Sequence, residues 1–353
     1  MKKNHKRVGI KDIAKQAGVS VGPVDKILNN RGGVSQKTKE KILKAIKDLN
    51  YKPNILASRL KSTKSYTIAV LMPKPSKEIP YWYQHKIGFK AVQEELDPYG
   101  FNLEVFYFSQ NSESSFNTQT AKILKEDLDG IFMVPVFEEK TIKFLQECKK
   151  KKIPVIFFDS TFPGLDNLSF IGQDARDSGF IAADLLNRCI SDNGALLTVT
   201  ISKKDDNHVQ FAKRKEGFKR FFEQHERRLI CYENNTPDEV DVQAELRNIL
   251  IKNKDIEGIF VTNGVAKVAA ALDELHSNTK HRLLGYDLIK ENVDLLNNGT
   301  IDFLISQQPH LQSYQGIKYF YDHLILKQNV NKEHFLPVTI VMKSTLKYQT
   351  FSP

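Results

Sequence analysis

At 353 residues, 41% hydrophobic and 27% charged, the chain is too long for one ordinary core and has the composition of a globular protein built from several. No run approaches the roughly 18 to 20 apolar residues of a membrane-spanning helix, and the basic start Met1-Lys2-Lys3-Asn4-His5-Lys6-Arg7 is not followed by a leader's apolar core, so a soluble cytoplasmic protein with no membrane partner is expected. Cys148, Cys189 and Cys231 are widely spaced, without a CxxC or Cys/His cluster, which argues against a disulfide framework or a zinc site and leaves no metal or cofactor expected.

The net charge of +10 is concentrated at one end: residues 1–64 hold 17 Lys and Arg against 4 Asp and Glu, the remainder 35 against 38. Such a footprint suits a polyanion. Ile10, Ile13, Ala14 and Ala17 define the inner face of a first helix, stopped by Gly18. Ser20 stands at the N-cap position of a second helix carrying Val24, Ile27 and Leu28 inward. Ser35 caps a third, Gln36 to Leu49, with Ile42, Leu43, Ile46 and Leu49 facing the core. Helix, glycine-containing turn, helix in a cationic setting predicts a helix-turn-helix that binds double-stranded DNA.

Asn54 to Leu60 has no long apolar face and is too short for a stable isolated helix. From Tyr66 onward, short apolar runs alternate with helical stretches. Thr67 to Met72, Leu103 to Phe108, Gly130 to Val134, Val155 to Phe158 and Leu168 to Gly172 make one series. Ala195 to Thr200, Leu229 to Tyr232, Gly258 to Val261, Arg282 to Tyr286 and Phe303 to Ser306 make a second. Two doubly wound parallel α/β lobes are predicted, with ligands held at the carboxyl ends of the strands. The residues there are polar and suit a hydroxyl-rich ligand: Asp159, Asp174, Asn263, Asp287 and Gln307, with Arg214 on a helix of the second lobe and Tyr81 and Trp82 after the first strand. A polar residue at a strand end is also the usual helix cap, so each has that simpler alternative.

The segments Ile10-Lys11-Asp12-Ile13-Ala14-Lys15-Gln16-Ala17-Gly18-Val19-Ser20, Lys26-Ile27-Leu28-Asn29, Val34-Ser35 and Leu49-Asn50-Tyr51-Lys52-Pro53-Asn54 resemble, without a gap, the headpiece of the lactose-repressor (LacI/GalR) family. The resemblance implies a DNA-binding set of Ser20, Val21, Gly22, Lys26, Asn29 and Ser35, with Val21, Gly22 and Lys26 facing base edges in the major groove. It also implies a hinge segment in which Asn54, Ala57 and Leu60 act at the minor groove. Pro23 and Asp25 depart from the family's usual Thr and Ser, hydroxyls that serve phosphates. The remainder resembles the family's periplasmic-sugar-binding-protein-like core, where Tyr81, Trp82, Asp159, Arg214, Asn263, Asp287 and Gln307 match effector-binding positions; Ile79, Ser160 and Gly264 depart from it.

The expected organisation is therefore a headpiece over residues 1–52, a hinge over 53–65 and a ligand-binding and dimerisation core over 66–353. The N-lobe is expected at 66–189 plus 310–327 and the C-lobe at 190–309 plus 328–345. The expected function is a homodimeric transcription regulator, a repressor, binding a pseudo-palindromic operator under control of a small sugar-like effector. The chain lacks GxGxxG, GxxxxGK[ST], GxSxG and metal-ligand spacing among its 9 His, which argues against an enzyme. A transport receptor is the other reading of the core, opposed by the attached headpiece.

Overall fold

The computed structural model describes residues 9–28, 32–49, 65–77, 80–202, 209–236, 240–275 and 280–349. They fall into two compact units, residues 1–63 and 64–353. The first holds helices α1 (Ile10–Ala17), α2 (Val21–Leu28) and α3 (Gln36–Asp48). Asp12 reaches back to accept from the Gly9 N–H at 2.7 Å, and Gly18 ends α1 in the left-handed conformation, φ 63°. Ser35 accepts the Thr38 N–H and so caps α3. Ile13, Ala14, Ala17, Val24, Ile42 and Ala45 form the buried centre, flanked by Ile10, Val19, Ile27, Leu28, Ile46 and Leu49. One expectation fails: Leu43 is 47% exposed. The stripe runs through residues 42, 45, 46 and 49, and position 43 lies about 100° round the helix from 42.

The second unit has two sheets. The strands of the first series are β1 (Tyr66–Pro73), β2 (Phe101–Phe108), β3 (Gly130–Met133), β4 (Val155–Phe158) and β5 (Ser169–Gly172), interleaved with α4 (His85–Leu96), α5 (Glu113–Ile123) and α6 (Glu138–Lys150). After α7 (Ala175–Cys189) the second series repeats the plan: β6 (Ala195–Ile201), α8 (Val209–Phe221), β7 (Leu229–Asn234), α9 (Val242–Lys252), β8 (Ile256–Val261), α10 (Val265–Asp273), β9 (Arg282–Tyr286), α11 (Lys290–Asn298) and β10 (Phe303–Ser306). Helix α12 (Pro309–Leu324) and the short strands β11 (Glu333–Phe335) and β12 (Thr339–Val341) complete the described residues.

The sheet orders are β2-β1-β3-β4-β5-β11 and β7-β6-β8-β9-β10-β12. Every pairing is parallel except β10 with β12. Because both faces of a parallel sheet are covered by helices, the strands are apolar throughout rather than alternating, as the fully buried β3 and β4 show. Stacked rings anchor each lobe: Phe132 on Phe158, centroids 4.2 Å apart, and Phe218 on Phe260 at 4.5 Å.

The expected lobe boundaries require two corrections. The expected boundaries place helix α7 in the N-lobe, but its Ala182, Ala183 and Leu186 pack with Phe218 of α8 and with Phe260 and Leu284 of the second sheet. The chain therefore crosses between lobes at Gln173-Asp174, not near residue 189. The same boundaries place residues 328–345 whole in the C-lobe, yet β11 pairs with β5 in the first sheet and only β12 joins the second. The cause is common to both: α7 and β11 are amphipathic or short, and their patterns carry no mark of which sheet they complete.

Candidate effector cleft and DNA-facing helix

Equivalent strand ends of the two lobes carry the same pair of residue types. Asp159 follows β4 and Asp287 follows β9, both in the left-handed region at φ 64° and 75°. Each N–H donates to the neighbouring strand's carbonyl, Ile171 O at 3.1 Å and Ile305 O at 3.0 Å. A non-glycine residue there costs on the order of 1 kcal/mol, and the repeated backbone bond holds it. Gln173 and Gln307 follow β5 and β10 in the same way. The first donates to Ser306 O at the lobe crossing, the second to Asp287 Oδ1 at 2.7 Å.

Around the aspartates a buried polar cluster converges from both lobes. Tyr81 donates its hydroxyl to Asp159 Oδ1 at 2.6 Å. Burial, then the charges of Asp159 and Asp287, raise that phenol well above its ordinary value, so it serves as a neutral donor. Arg214 donates to Gln307 Oε1 at 2.6 Å and Thr262 O at 2.7 Å, with its guanidinium 3.7 Å over the Tyr286 ring. Its buried Nε–H finds no acceptor among the described residues. Burial raises Asp287 from the ordinary 3.8 to about 6, with Arg214 and Gln307 opposing the rise and Asp159 adding to it.

Arg214 is held by close helix packing. A Cβ on Gly217 of α8 would lie 1.8 Å from Arg176 O, and one on Gly179 of α7 would lie 1.9 Å from Arg214 O. Only glycine allows the backbones this approach. Three hydrogen bonds then join the lobes across the cleft: Gln84 Nε2 to Leu288 O at 2.9 Å, Gln210 Nε2 to Asp159 O at 2.6 Å, and Lys213 Nζ to Thr161 O at 3.1 Å. Beside them lies a cavity of only about 50 Å³, walled in part by Trp82, Gln110, Asp159 and Gln210. A sugar-sized pocket needs roughly 300 Å³, so entry requires the lobes to part.

The structure thus brings Tyr81, Asp159, Arg214, Asp287 and Gln307 together, with Trp82 at the edge. Trp82 donates to Gln110 at 3.1 Å, and one of its faces is already stacked on His85. Two of the expected residues are committed to the backbone. Asp174 caps α7, accepting from the Arg176 and Asp177 N–H groups, which is its simpler alternative. Asn263 spends both ends of its amide on Ile201, accepting from its N–H and donating to its carbonyl. Gln84, Gln110, Gln210 and Gln312 escaped the sequence reading. Gln210 stands four residues before Arg214 on the same helix face, and Gln110 lies just past the end of β2, so spacing could have found both. Gln312 accepts from the Asp159 N–H at 2.9 Å and donates to Gln307 O at 2.8 Å, linking the two halves. Among the described residues no group of His, Cys, Asp or Glu could hold a metal, and no helix is long and apolar enough to cross a membrane.

In the first unit, Val21, Gly22 and Lys26 are all exposed on α2, directly after Ser20. Pro23 falls in the first turn of the helix, where its missing N–H costs nothing. Asn29, Asn54, Ala57 and Leu60 lie outside the described residues.

Comparison with known proteins fits both units. The "Periplasmic binding protein domain" family matches residues 68–328, and "Bacterial regulatory proteins, lacI family" matches residues 9–54. The chain belongs to the lacI family of regulators. It is similar to the sucrose operon repressor of Streptococcus mutans, 25% identical over 94% of this chain and 97% of that protein. It is also similar to the ribose operon repressor of Lactococcus lactis, 23% identical over 96% and 98%. The solved structure of a candidate LacI transcriptional regulator from Bacteroides fragilis shares the fold, with a TM-score of 0.75 and 24% identity over 81% of this chain and all of that one. This lacI-family chain is accordingly a ligand-responsive, DNA-binding transcription regulator and not an enzyme.

Proposed function

We propose that this regulator represses transcription as a homodimer on a pseudo-palindromic operator, and that a neutral sugar or sugar derivative bound between the lobes sets its operator affinity. The observation that carries the effector assignment is the convergence of Tyr81, Asp159, Arg214, Asp287 and Gln307 from opposite lobes into one cluster, in which Tyr81, Arg214 and Gln307 are buried and the two aspartates partly so. Carboxylates accept paired hydroxyls, while the guanidinium and amide donate to ring and hydroxyl oxygens. Apart from the Arg214 Nε–H, these groups are hydrogen-bonded within their own lobes, Tyr81 to Asp159 and Arg214 through Gln307 to Asp287. A sugar entering the opened cleft would exchange those bonds for bonds to itself, including one to the Arg214 Nε–H, and bridge the lobes through its own ring.

Lobe closure is then the bistable element that the ligand biases. Coupling to DNA is reciprocal: whatever the sugar does to operator affinity, the operator does to sugar affinity. On the DNA side, exposed Lys26 can donate to guanine O6 or N7, and Val21 offers an apolar contact to a thymine methyl.

A thermal-shift screen of pentoses, hexoses, sugar phosphates, polyols and nucleosides should identify a stabilising sugar, since a ligand at 100 times its Kd adds about 2.7 kcal/mol. Fluorescence anisotropy with an operator selected from random duplex should show that sugar changing DNA affinity. Arg214→Ala should abolish the sugar response and leave DNA affinity without sugar unchanged. A sugar response that survives in this variant would remove the effector from the cleft.

A further inference from the structure

A second, larger cavity of about 430 Å³ lies beside the first lobe crossing. Its walls come from both lobes: the Thr161–Phe170 segment and β11 on one side, Ala175, Arg176 and helix α8 on the other. It meets the small cleft cavity at Thr161, Phe162 and Gln210, which line both. The two are partitioned there by the interlobe bonds from Gln210 to Asp159 O and from Lys213 to Thr161 O.

One wall is aromatic. Phe162 is buried in it, and Phe335, on the edge strand β11, stands 51% exposed with its ring edge-on to Phe170 at 5.9 Å. With Phe162 and Phe170 it makes an apolar side to the cavity, on which the C–H face of a ring can lie. The charged groups come from both sides and are balanced. Lys213 is half-buried and feels Arg176 on one hand and Asp174, Glu216 and Glu333 on the other. Arg176 is paired with Glu216 at 2.8 Å, the Asp174 carboxylate caps α7, and the Lys332 ammonium is spent on Leu165 O and the Asn167 oxygens. An ionic ligand would leave one charge here uncompensated. A neutral ring with many hydroxyls can instead place its C–H face on the phenylalanines and bridge the donors and acceptors opposite.

We infer that the hinge-side cavity is a second ligand site, beside the interlobe cleft, which takes a neutral saccharide of one or two rings between the side that carries Phe162 and Phe335 and the side that carries Arg176 and Lys213. A volume of about 430 Å³ is within the ordinary range for a ligand pocket.

Isothermal titration of the full chain tests this with D-ribose, D-glucose, D-fructose, sucrose and maltose as probes, and with glucuronate and glucosamine as charged counterparts. Arg214→Ala disables the cleft. At least one neutral saccharide should still bind this variant at millimolar concentration, more tightly than its charged counterpart. Adding Phe335→Ala, an exposed position, should weaken that binding by about tenfold or more. Should Arg214→Ala fail to fold, the double variant Asp287→Ala/Gln307→Ala, which removes both partners of the C-lobe side of the cleft, serves in its place. The inference is overturned if no probe binds the cleft-disabled variant, or if binding there is indifferent to Phe335→Ala. Either result leaves the cleft itself untouched, because sugar binding by the unmodified chain would then come from one site only.

Discussion

Replacing Asp287 with Asn should make the protein more stable and its effector response worse. In the folded chain the Asp287 carboxyl rises from 3.8 to about 6 because burial disfavours its charge. A raised acid is favoured by folding at low pH, where it is protonated in both states, and that advantage is lost as pH climbs towards the folded value. Ionisation of Asp287 therefore costs the fold stability, more at pH 7 than at pH 5 and on the order of a few kcal/mol at pH 7. Asparagine carries no charge at either pH and keeps an oxygen where Gln307 Nε2 donates at 2.7 Å. Urea unfolding of both proteins should therefore show Asp287→Asn more stable, with an advantage larger at pH 7 than at pH 5 by on the order of 1 kcal/mol. The same variant should bind its sugar more weakly, since a neutral amide replaces a carboxylate that accepts paired hydroxyls. A stability difference independent of pH would refute the reasoning, because it would mean that the carboxyl is not held above its ordinary value.

Other substitutions probe separate links of the same chain. Gly217→Ala would set a Cβ 1.8 Å from the backbone oxygen of Arg176, forcing α7 and α8 apart; unfolding measurements should show a loss of about 2 to 3 kcal/mol, and the displaced Arg214 should cost the sugar response. Gln84→Ala deletes the bond to Leu288 O that closes the cleft on the α4 side; sugar affinity should fall a few-fold, equivalent to about 1 kcal/mol, with a larger radius of gyration by X-ray scattering. Lys26→Ala, at an exposed position of α2, should cost about 1 to 3 kcal/mol on the best operator and relax base preference at one position per half-site; an equal loss on all DNA would mean that Lys26 meets phosphate.

The two units differ in how much of them the sequence discloses, and the reason is the range of the interactions. The headpiece is built from near neighbours. Ile13, Val24 and Ile42 lie on stripes legible at helical spacing, while Gly18 and Ser35 end and begin helices through bonds within three or four residues. Among its described residues the miss is Leu43, a matter of about 100° of helix rotation. In the core, the strand-end rule finds Asp159, Asp287 and Gln307 because their place follows from where a run of buried residues stops. It finds Asp174 and Asn263 by the same rule, and it cannot tell a carboxylate aimed into the cleft from one turned back on its own helix. That choice depends on what arrives from elsewhere: Tyr81 meets Asp159 across 78 residues and Arg214 meets Gln307 across 93. The glutamines that join the lobes are farther from view. Gln84 and Leu288 stand 204 residues apart, and they meet only because α7 leaves the first sheet for the second at Gln173-Asp174. Misplacing that crossing does not alter the fold class or the strand count. It does assign α7 to the wrong lobe, and with it the face that holds Arg214 against α8. The cleft is thus the part of the molecule in which local pattern and tertiary placement are least separable, and variants at Gly217 and Gln84, far from any strand end, should disturb effector response as surely as variants at Asp287.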